Sequence, residues 1–271
     1  MSAQVIAVSN QKGGVGKTTS VMNLGVALAK QGKHVLLIDS DPQANLTSYL
    51  GVTPGAGAFE NLRTLDELYL SKRPLDDSNW SLYRTRTTAG VDLVPGDGAL
   101  IGVEHYLFSK TDKEQILARN MSLLRAQYDV ILIDTPPSLN LLTLNALCAA
   151  DSVLIPVQPE FFSLEGIVKI RGAIENIKTR WNPKLTILGV LPTQVTPRRK
   201  LTQEVLSALR SELGSAIFDT VIHDNSAVTE SSGHGRSVLD YDRTSRGSLD
   251  YQAAALELLA RLPLRPPGEA T

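Results

Sequence analysis

The sequence predicts a single-domain α/β fold, in which a mostly parallel, twisted sheet is covered by helices on both faces. Short apolar runs alternate along the chain with segments of helical periodicity, a pattern typical of βαβ units. Several of these runs are apolar throughout, as expected for strands that are buried on both faces. The chain has 271 residues, of which 42% are hydrophobic and 20% charged. This is enough for one large core. We therefore expect one domain over residues 1–262 and a proline-rich C-terminal tail over residues 263–271.

The candidate strands follow one another at intervals that leave room for helices between them. They are residues 4–9, 34–39, 91–95, 130–134, 152–157, 185–191 and 216–221. Helical spacing is clear over residues 18–31, where Val21, Leu24 and Leu28 share one face. Residues 53–88 are the least regular section and predict a surface excursion with one short helix at residues 64–70. The last helical pattern, SLDYQAAALELLARL, ends just before Pro263.

The stretch QKGGVGKTT, residues 11–19, joins the first predicted strand to the first predicted helix. Its glycines let the backbone turn tightly and direct N–H groups inward, and the helix N-terminus adds its positive end. These features predict a nest for phosphate groups, with Lys17 on the β- and γ-phosphates and the Thr18 hydroxyl on Mg²⁺. The residues expected to bind the nucleotide here are Gly13, Gly14, Val15, Gly16, Lys17, Thr18 and Thr19.

This loop departs from the general phosphate-loop pattern G-x-x-x-x-G-K-[ST]. Gln11 stands where the pattern has its first glycine, and an additional lysine, Lys12, follows it. A dinucleotide-binding loop is excluded, because no G-x-G-x-x-G occurs in this stretch.

Aspartates follow two of the predicted strands, at the sheet edge where open α/β folds bind their ligands. Asp39 and Asp41 end the second strand, and Asp134 ends the fourth. A single aspartate in such a place is often only a helix cap or a turn residue. Three of them beside a phosphate loop instead predict a site that holds Mg²⁺ or orients the attacking water.

These motifs together resemble the ParA/Soj branch of the ParA/MinD group of P-loop ATPases. KGGVGKTT is similar to the deviant Walker A loop of that group, DSDPQAN and LIDTPPS are similar to its later motifs, and the likeness continues through VLIPVQPEFFSLEGI and GHGRSVLDYDRTSRG. The resemblance covers nearly the whole chain. It implies a P-loop NTPase fold and an ATPase that partitions chromosomes or plasmids.

The resemblance also implies roles for individual residues. Lys12 is the signature lysine that crosses a dimer interface to touch the ATP of the other subunit, and Asp41 is the switch I residue needed for hydrolysis. Residues 134–137 form Walker B and switch II. The implied catalytic residues are Lys12, Lys17 and Asp41; the magnesium site uses Thr18, Asp39 and Asp134; and the adenine pocket is lined by Pro192, Thr193, His223, Asp224 and Asn225.

By resemblance, the ATP-bound homodimer binds DNA without sequence preference and is reset by slow, Mg²⁺-dependent hydrolysis that a ParB-like centromere-binding partner stimulates. The net charge of −1 requires a local basic patch for this. The candidates are Arg198, Arg199, Lys200, Arg236, Arg243 and Arg246, with Lys169, Arg171, Lys178 and Arg180 on an earlier helix. One departure is that residues 223–228 lack the basic residues that relatives carry there.

Other classes remain open at this point. A ParA-like ATPase that positions a protein cargo fits the same motifs. A MinD-type membrane ATPase shares the loop, but its amphipathic C-terminal helix should have a basic face, which residues 248–262 lack. An iron-protein relative needs cluster-binding cysteines, whereas the only cysteine, Cys148, falls in a helical run and is expected in the core.

Localisation is expected to be cytoplasmic, with association to the nucleoid in the ATP state and no membrane partner. The first strand begins at residue 4, which leaves no room for a signal peptide. No apolar run approaches the ~20 residues of a membrane span.

Overall fold

A central β-sheet positions the functional residues in the computed structural model, which describes residues 2–108, 110–160 and 163–262. The expected tail, residues 263–271, lies outside the described residues. The strands of the described part are β1 (Gln4–Val8), β2 (Val35–Asp39), β3 (Thr85–Arg86), β4 (Asp92–Val94), β5 (Val130–Asp134), β6 (Ser152–Val157) and β7 (Thr186–Pro192). Their order across the sheet is β3-β4-β2-β5-β1-β6-β7. All neighbouring pairs are parallel except β3 with β4, so the predicted mostly parallel sheet is confirmed.

Helices connect the strands and cover both faces of the sheet. In the described residues they are α1 (Lys17–Lys30), α2 (Asn45–Tyr49), α3 (Leu65–Leu70), α4 (Leu100–Leu107), α5 (Ile116–Gln127), α6 (Leu141–Ala149), α7 (Ser163–Arg180), α8 (Lys200–Leu213), α9 (Ser226–Gly233), α10 (Val238–Tyr241) and α11 (Arg246–Arg261). The α/β fold class predicted from the sequence is therefore confirmed.

The central strands are largely apolar because they contribute to two separate cores. On β1, Val5 and Ala7 belong to one core cluster, whereas Ile6 and Val8 belong to the other. Side chains of successive strand residues point to opposite faces, so a strand covered on both sides needs an apolar residue at every position. The first cluster includes residues of α3 to α7, and the second includes residues of α1, α2, α10 and α11.

The predicted strand at residues 216–221 is wrong. Ile217 makes only an isolated bridge to Val190, and a 3-10 turn, Gly214–Ala216, precedes it. The backbone N–H groups of Asp219 and Thr220 donate to the carboxylate of Glu257 on α11, at 2.9 and 2.8 Å. Phe218 and Ile222 still donate to Val190 and Pro192 of β7, each at 2.8 Å. Because the Glu257 carboxylate binds the Thr220 N–H between them, the ladder to β7 is interrupted and no continuous strand forms.

The excursion at residues 53–88 contains the short helix that was predicted and a strand that was not. Helix α3 begins after Thr64, which forms a reciprocal capping box with Glu67. β3 pairs antiparallel with β4 through Thr85 and Arg86. Two polar residues carry no alternating pattern, so the sequence offered no signal for this edge strand.

Candidate functional site

The loop between β1 and α1 depends on glycine because of its backbone conformation. Gly14 and Gly16 have φ values of 73° and 81°, in the left-handed region that side chains disfavour. A Cβ at Gly14 would meet no atom within 4 Å, so conformation rather than space selects glycine there. The loop therefore has the tight, left-handed turns expected of a phosphate nest.

Residues that follow the carboxyl end of β7 anchor this loop. The hydroxyl of Thr193 donates to the carbonyl of Val15 at 2.8 Å, and the side-chain amide of Gln194 donates to the carbonyl of Gly14 at 2.7 Å. Asn10 fixes the entry of the loop, because its amide donates to Pro156 and its side-chain oxygen accepts the N–H of Lys12. Residues far apart in the sequence thus hold the loop in one conformation.

Helix α1 starts at the end of the loop with its first N–H groups uncapped. Its N-cap residue, Gly16, supplies no side-chain hydrogen bond. Free N–H groups and the positive end of the helix dipole favour an anion at this position.

Lys17 lies inside the nest and is only 6% exposed. Its ammonium donates to the carbonyl of Lys12 at 3.3 Å. Burial lowers the pKa of Lys17, while the nearby carboxylates of Asp134 and Asp41 oppose that shift. Bound phosphate would supply further negative charge and stabilise the protonated amine.

Lys12 points elsewhere, although it belongs to the same loop. Its ammonium lies 2.5 Å from the Glu160 carboxylate, and both side chains are about half exposed. The two lysines of the loop therefore occupy different environments, one buried in the nest and one on its rim.

Asp39 and Asp134 are neighbours across the sheet. They are paired in the register of β2 and β5 at the carboxyl ends of those strands, as the sequence predicted. Thr47 of α2 donates to one oxygen of Asp39 from its N–H at 2.8 Å and from its hydroxyl at 2.6 Å. Burial raises the pKa of Asp39 to about 6, although the Thr47 hydrogen bonds oppose that shift.

Asp134 is fully buried, and neither of its carboxylate oxygens has a hydrogen-bond partner. Burial and then the charge of Asp39 raise the pKa of Asp134 well above its usual value, whereas the adjacent Thr18 hydroxyl lowers it. An unpaired buried carboxylate is costly, and a hydrated cation beside Thr18 would satisfy it. These residues fit Mg²⁺. Among the described residues no group of three or more acidic, histidine or cysteine side chains could hold a metal, so the remaining ligands would be phosphate and water oxygens.

Two supporting residues of this site were missed by the sequence analysis. The N–H of Gly96 donates to the Thr47 hydroxyl at 3.0 Å, which orients that hydroxyl toward Asp39. A Cβ at Gly96 would lie 2.5 Å from the Asp39 carbonyl oxygen. Nothing near Thr47 or Gly96 in the sequence marks this contact, because it joins segments about fifty residues apart.

Asp41 is buried beside Lys17 and accepts the N–H of Gln43 at 3.0 Å. It lines a cavity of about 300 Å³, which we call the phosphate end of the cleft. The other residues lining the phosphate end are Gly13, Gly14, Gly16, Lys17, Thr18, Thr19, Gln43, Asn45, Tyr49, Pro137 and Gln194.

A second cavity of about 320 Å³ adjoins the first and shares Gly16, Thr19, Tyr49 and Gln194 with it. We call it the base end of the cleft. Of the residues expected around adenine, four line it: Thr193, His223, Asp224 and Asn225. Pro192 lines neither cavity; it is the last residue of β7, and its carbonyl accepts the N–H of Ile222.

An ion-pair network from α11 fixes the wall of the base end. One carboxylate oxygen of Asp250 accepts the backbone N–H of His223 at 2.9 Å, and the same oxygen lies 2.8 Å from Nδ1 of the His223 ring. Arg246 binds the other oxygen of Asp250 at 3.0 Å. Asp250 carried no sequence signal, since it falls within an ordinary helical pattern.

The basic residues proposed for DNA binding have different surroundings. Arg198, Arg199 and Lys200 are exposed where α8 begins, with Lys200 3.7 Å from Glu204. Arg236 and Arg243 are exposed around α10. Arg246 is exposed but paired with Asp250. Of the basic residues on α7, Lys178 pairs with Glu175, and Arg180 lies over the Trp181 ring.

Cys148 lies in α6 and is buried, as predicted. Burial raises its pKa to about 12, so it is a core residue rather than a reactive thiol. Within the described ranges, no helix has the length and apolar character that crossing a membrane requires.

Comparison with known proteins gives consistent matches. A family model described as an AAA domain matches residues 3–187. The chain is 40% identical over 260 residues to chromosome partitioning protein ParA of Caulobacter vibrioides (strain NA1000 / CB15N), covering 95% of this chain and 94% of that protein. It is 38% identical over 258 residues to the sporulation initiation inhibitor protein Soj of Bacillus subtilis (strain 168), covering 95% and 98%.

A solved structure with a similar fold is cobyrinic acid a,c-diamide synthase from Mycobacterium smegmatis with bound ADP and magnesium. Its TM-score is 0.79 at 33% identity, and the match covers 95% of this chain and 94% of that one. The nest around Lys17 and the paired aspartates beside it agree with these likenesses. The chain therefore belongs to the ParA/Soj family of P-loop ATPases.

Proposed function

We propose that this protein is a Mg²⁺-dependent ATPase that works as an ATP-gated dimer to partition or position a cargo. The observation that carries the proposal is the divergence of the two loop lysines. Lys17 is buried among the groups that would bind phosphate, whereas Lys12 is half exposed on the rim. A lysine on the rim of the nest is available to a second subunit.

The nucleotide would bind along both ends of the cleft. Its phosphates would contact residues 12–19, and its base would contact Thr193 and residues 223–225. The orphan oxygens of Asp134 support a magnesium site made by Thr18 and Asp134, with Asp39 behind them. Bound Mg²⁺ would neutralise charge on the phosphate oxygens.

Hydrolysis requires a water molecule directed at the γ-phosphate. Asp41 is buried at the phosphate end and lies close enough to Lys17 to interact with its charge. We assign Asp41 the role of orienting that water and Lys17 that of stabilising the developing negative charge. Turnover is slow in this proposal, because the nucleotide state acts as a timer for a switch.

Dimerisation follows from the charge of the loop. Two phosphate ends facing each other would bring many negative charges together, and Lys12 from each subunit would offset that repulsion at its partner's site. Lys12 must first leave Glu160. The pair is half exposed, and pairs of this kind contribute about 0–1 kcal/mol, so ATP could displace it readily.

The proposed cargo system uses DNA as its track. Arg198, Arg199 and Lys200 place positive charge at the N-terminus of α8, where the helix dipole disfavours cations. This unfavourable arrangement supports a role in binding phosphate groups of DNA. Arg236 and Arg243 would add to that patch, whereas Arg246 already neutralises Asp250.

The relatives named as chromosome partitioning protein ParA and as Soj support a chromosome or plasmid as cargo. A ParB-like protein would then stimulate hydrolysis, and the ATP form would lie on the nucleoid in the cytoplasm. Positioning of a protein cluster by the same switch is the alternative, and the gene downstream discriminates between the two.

DNA binding is tested by filter binding of a duplex to the ATP-bound protein at increasing salt. We expect log K to fall linearly with log salt, with a slope reduced by about 2 in the Arg198→Ala/Arg199→Ala variant. A matched Lys33→Ala/Lys184→Ala variant, which removes two exposed lysines from other surfaces, should keep the wild-type slope. Equal binding in ATP and ADP, or equal slopes in the two variants, would contradict the proposal.

A further inference from the structure

A groove lies between α3, α4 and α5 and is separate from the nucleotide cleft. Its volume is about 370 Å³, and none of its lining residues lines either end of the cleft. Leu70 and Tyr106 are among its walls and are 40% and 47% exposed. A concave surface with large apolar side chains on its walls can receive apolar side chains from another molecule.

The lining of this groove is basic and contains no carboxylate. Its charged residues are Lys72, Arg73, Lys110 and Arg119. Arg73 and Arg119 are paired with Asp76 and Asp112, at 2.7 and 2.9 Å.

The two lysines of the groove are not neutralised in this way. In the part of the chain that the structure describes, neither Lys72 nor Lys110 forms an ion pair, and the Lys110 ammonium lies over the Tyr106 ring at 5.1 Å. A groove that has apolar walls and two unpaired positive charges is complementary to a segment that carries both apolar and acidic side chains.

One residue of the groove lies next to the segment that carries Asp39 and Asp41. Tyr69 lines the groove and is only 3% exposed. Its hydroxyl and the hydroxyl of Ser40 are both buried without a hydrogen-bond partner. Burial raises the pKa of Tyr69, and the neighbouring Ser40 hydroxyl opposes part of that rise. Ser40 lies between Asp39 and Asp41, so a small movement of Tyr69 could close a hydrogen bond to the switch I segment.

We propose that this groove docks an acidic amphipathic helix of a partner protein, and that docking changes ATP turnover by moving Tyr69 against Ser40. A helix that presents apolar residues at i, i+3, i+4 and i+7 fits such a groove. A nucleic acid would use the same lysines but would leave the apolar walls of Leu70 and Tyr106 uncovered. The docking site goes beyond the proposed function, whereas the effect on turnover rests on it.

Docking is tested with a fluorescein-labelled amphipathic peptide of about 18 residues that has leucine on one face and glutamate on the other. We expect fluorescence anisotropy to show binding at least about tenfold tighter than that of the same peptide with lysine in place of glutamate. Lys72→Glu/Lys110→Glu should weaken binding by about tenfold, and the matched Lys33→Glu/Lys184→Glu should leave it unchanged. Leu70→Asn should weaken it as well, whereas Leu256→Asn, on exposed α11 surface, should not.

The docking proposal is overturned if the acidic peptide fails to bind, if both charge-reversal pairs weaken it equally, or if a DNA duplex alone shows the dependence on Lys72 and Lys110. These measurements need no ATP hydrolysis, so they stand even if the proposed function fails.

The effect of docking on ATP turnover is tested by measuring phosphate release in the presence of saturating peptide. We expect the peptide to change the turnover of the wild-type protein at least about twofold, and Tyr69→Phe to bind the peptide normally but lose that change. Unchanged wild-type turnover, or a full response in Tyr69→Phe, would refute the link through Ser40.

Discussion

The phosphate end and the base end of the cleft are built in different ways. Six of the twelve residues that line the phosphate end come from residues 13–19, and Asp41 lines it as well. The paired carboxylates of Asp39 and Asp134 end the adjacent strands β2 and β5. The base end combines residues 193–194 after β7, residues 222–225 and α9, and its shape depends on Asp250 from α11. A local motif therefore determines the charge of the phosphate end, whereas contacts between distant segments determine the shape of the base end.

The largest effect should come from Lys17 at the phosphate end. Lys17→Ala removes the buried cation that would bind phosphate, so we expect ATP affinity to fall by roughly 100-fold or more. Titration with a fluorescent ATP analogue measures this, with the exposed Lys33→Ala as a control that should match wild type. If Lys17→Ala retains wild-type affinity, the nest around Lys17 is not the phosphate site.

The buried carboxylates should make the stability of the nucleotide-free protein depend on pH. Their pKa values are raised in the folded state, to about 6 for Asp39, so the folded protein binds protons more tightly than the unfolded chain. The contribution of these protonated carboxylates to the free energy of unfolding is fully present below about pH 4. It is lost as the pH rises through about 6, and for Asp39 the loss is up to about 3 kcal/mol.

Urea unfolding of Asp39→Asn and of wild type between pH 4 and 7.5 checks this effect, with the free energy of unfolding determined at about five pH values. Asp39→Asn should lose much of the decrease, and the exposed Asp77→Asn should keep it. A decrease of the same size in all three proteins would show that Asp39 is not its source.

The base end should respond more weakly and only to ligands that carry a base. Asp250→Asn weakens the contact that holds His223, so we expect ATP affinity to fall by about three- to tenfold. Tripolyphosphate, which has no base, should bind to the variant as it does to wild type. Competition against the fluorescent analogue measures both ligands, and an equal loss for both would mean that the two ends are not independent.

The smallest effect should come from the rim, where Lys12 is placed by a contact with distant Glu160. Glu160→Gln removes this half-exposed ion pair, so we expect the ATP-dependent dimer to form up to about fivefold more tightly. Glu165→Gln, on the exposed surface of α7, is the matched control. Weaker association in Glu160→Gln alone would instead assign Glu160 a role within the dimer.

The difference between the two ends also explains what the sequence could predict. The conformations of Gly14 and Gly16, the positions of Asp39 and Asp134, and the layered sheet follow from local pattern and strand order. Thr47, Gly96, Gln194 and Asp250 act through contacts between distant segments, and each looks like an ordinary turn or helix residue in the sequence. The strand expected at residues 216–221 failed for the same reason, because a carboxylate of α11 binds the N–H groups of Asp219 and Thr220 and interrupts the ladder to β7.

The most direct test of the proposed switch is sedimentation velocity of Lys12→Ala with ATP and Mg²⁺, in an Asp41→Ala background that slows hydrolysis. We predict that the Asp41→Ala protein forms an ATP-dependent dimer and that adding Lys12→Ala leaves it monomeric, with ATP affinity within about threefold of the parent. Adding Lys33→Ala instead should preserve the dimer. An unaltered ATP-dependent dimer in the Lys12→Ala protein would contradict the account.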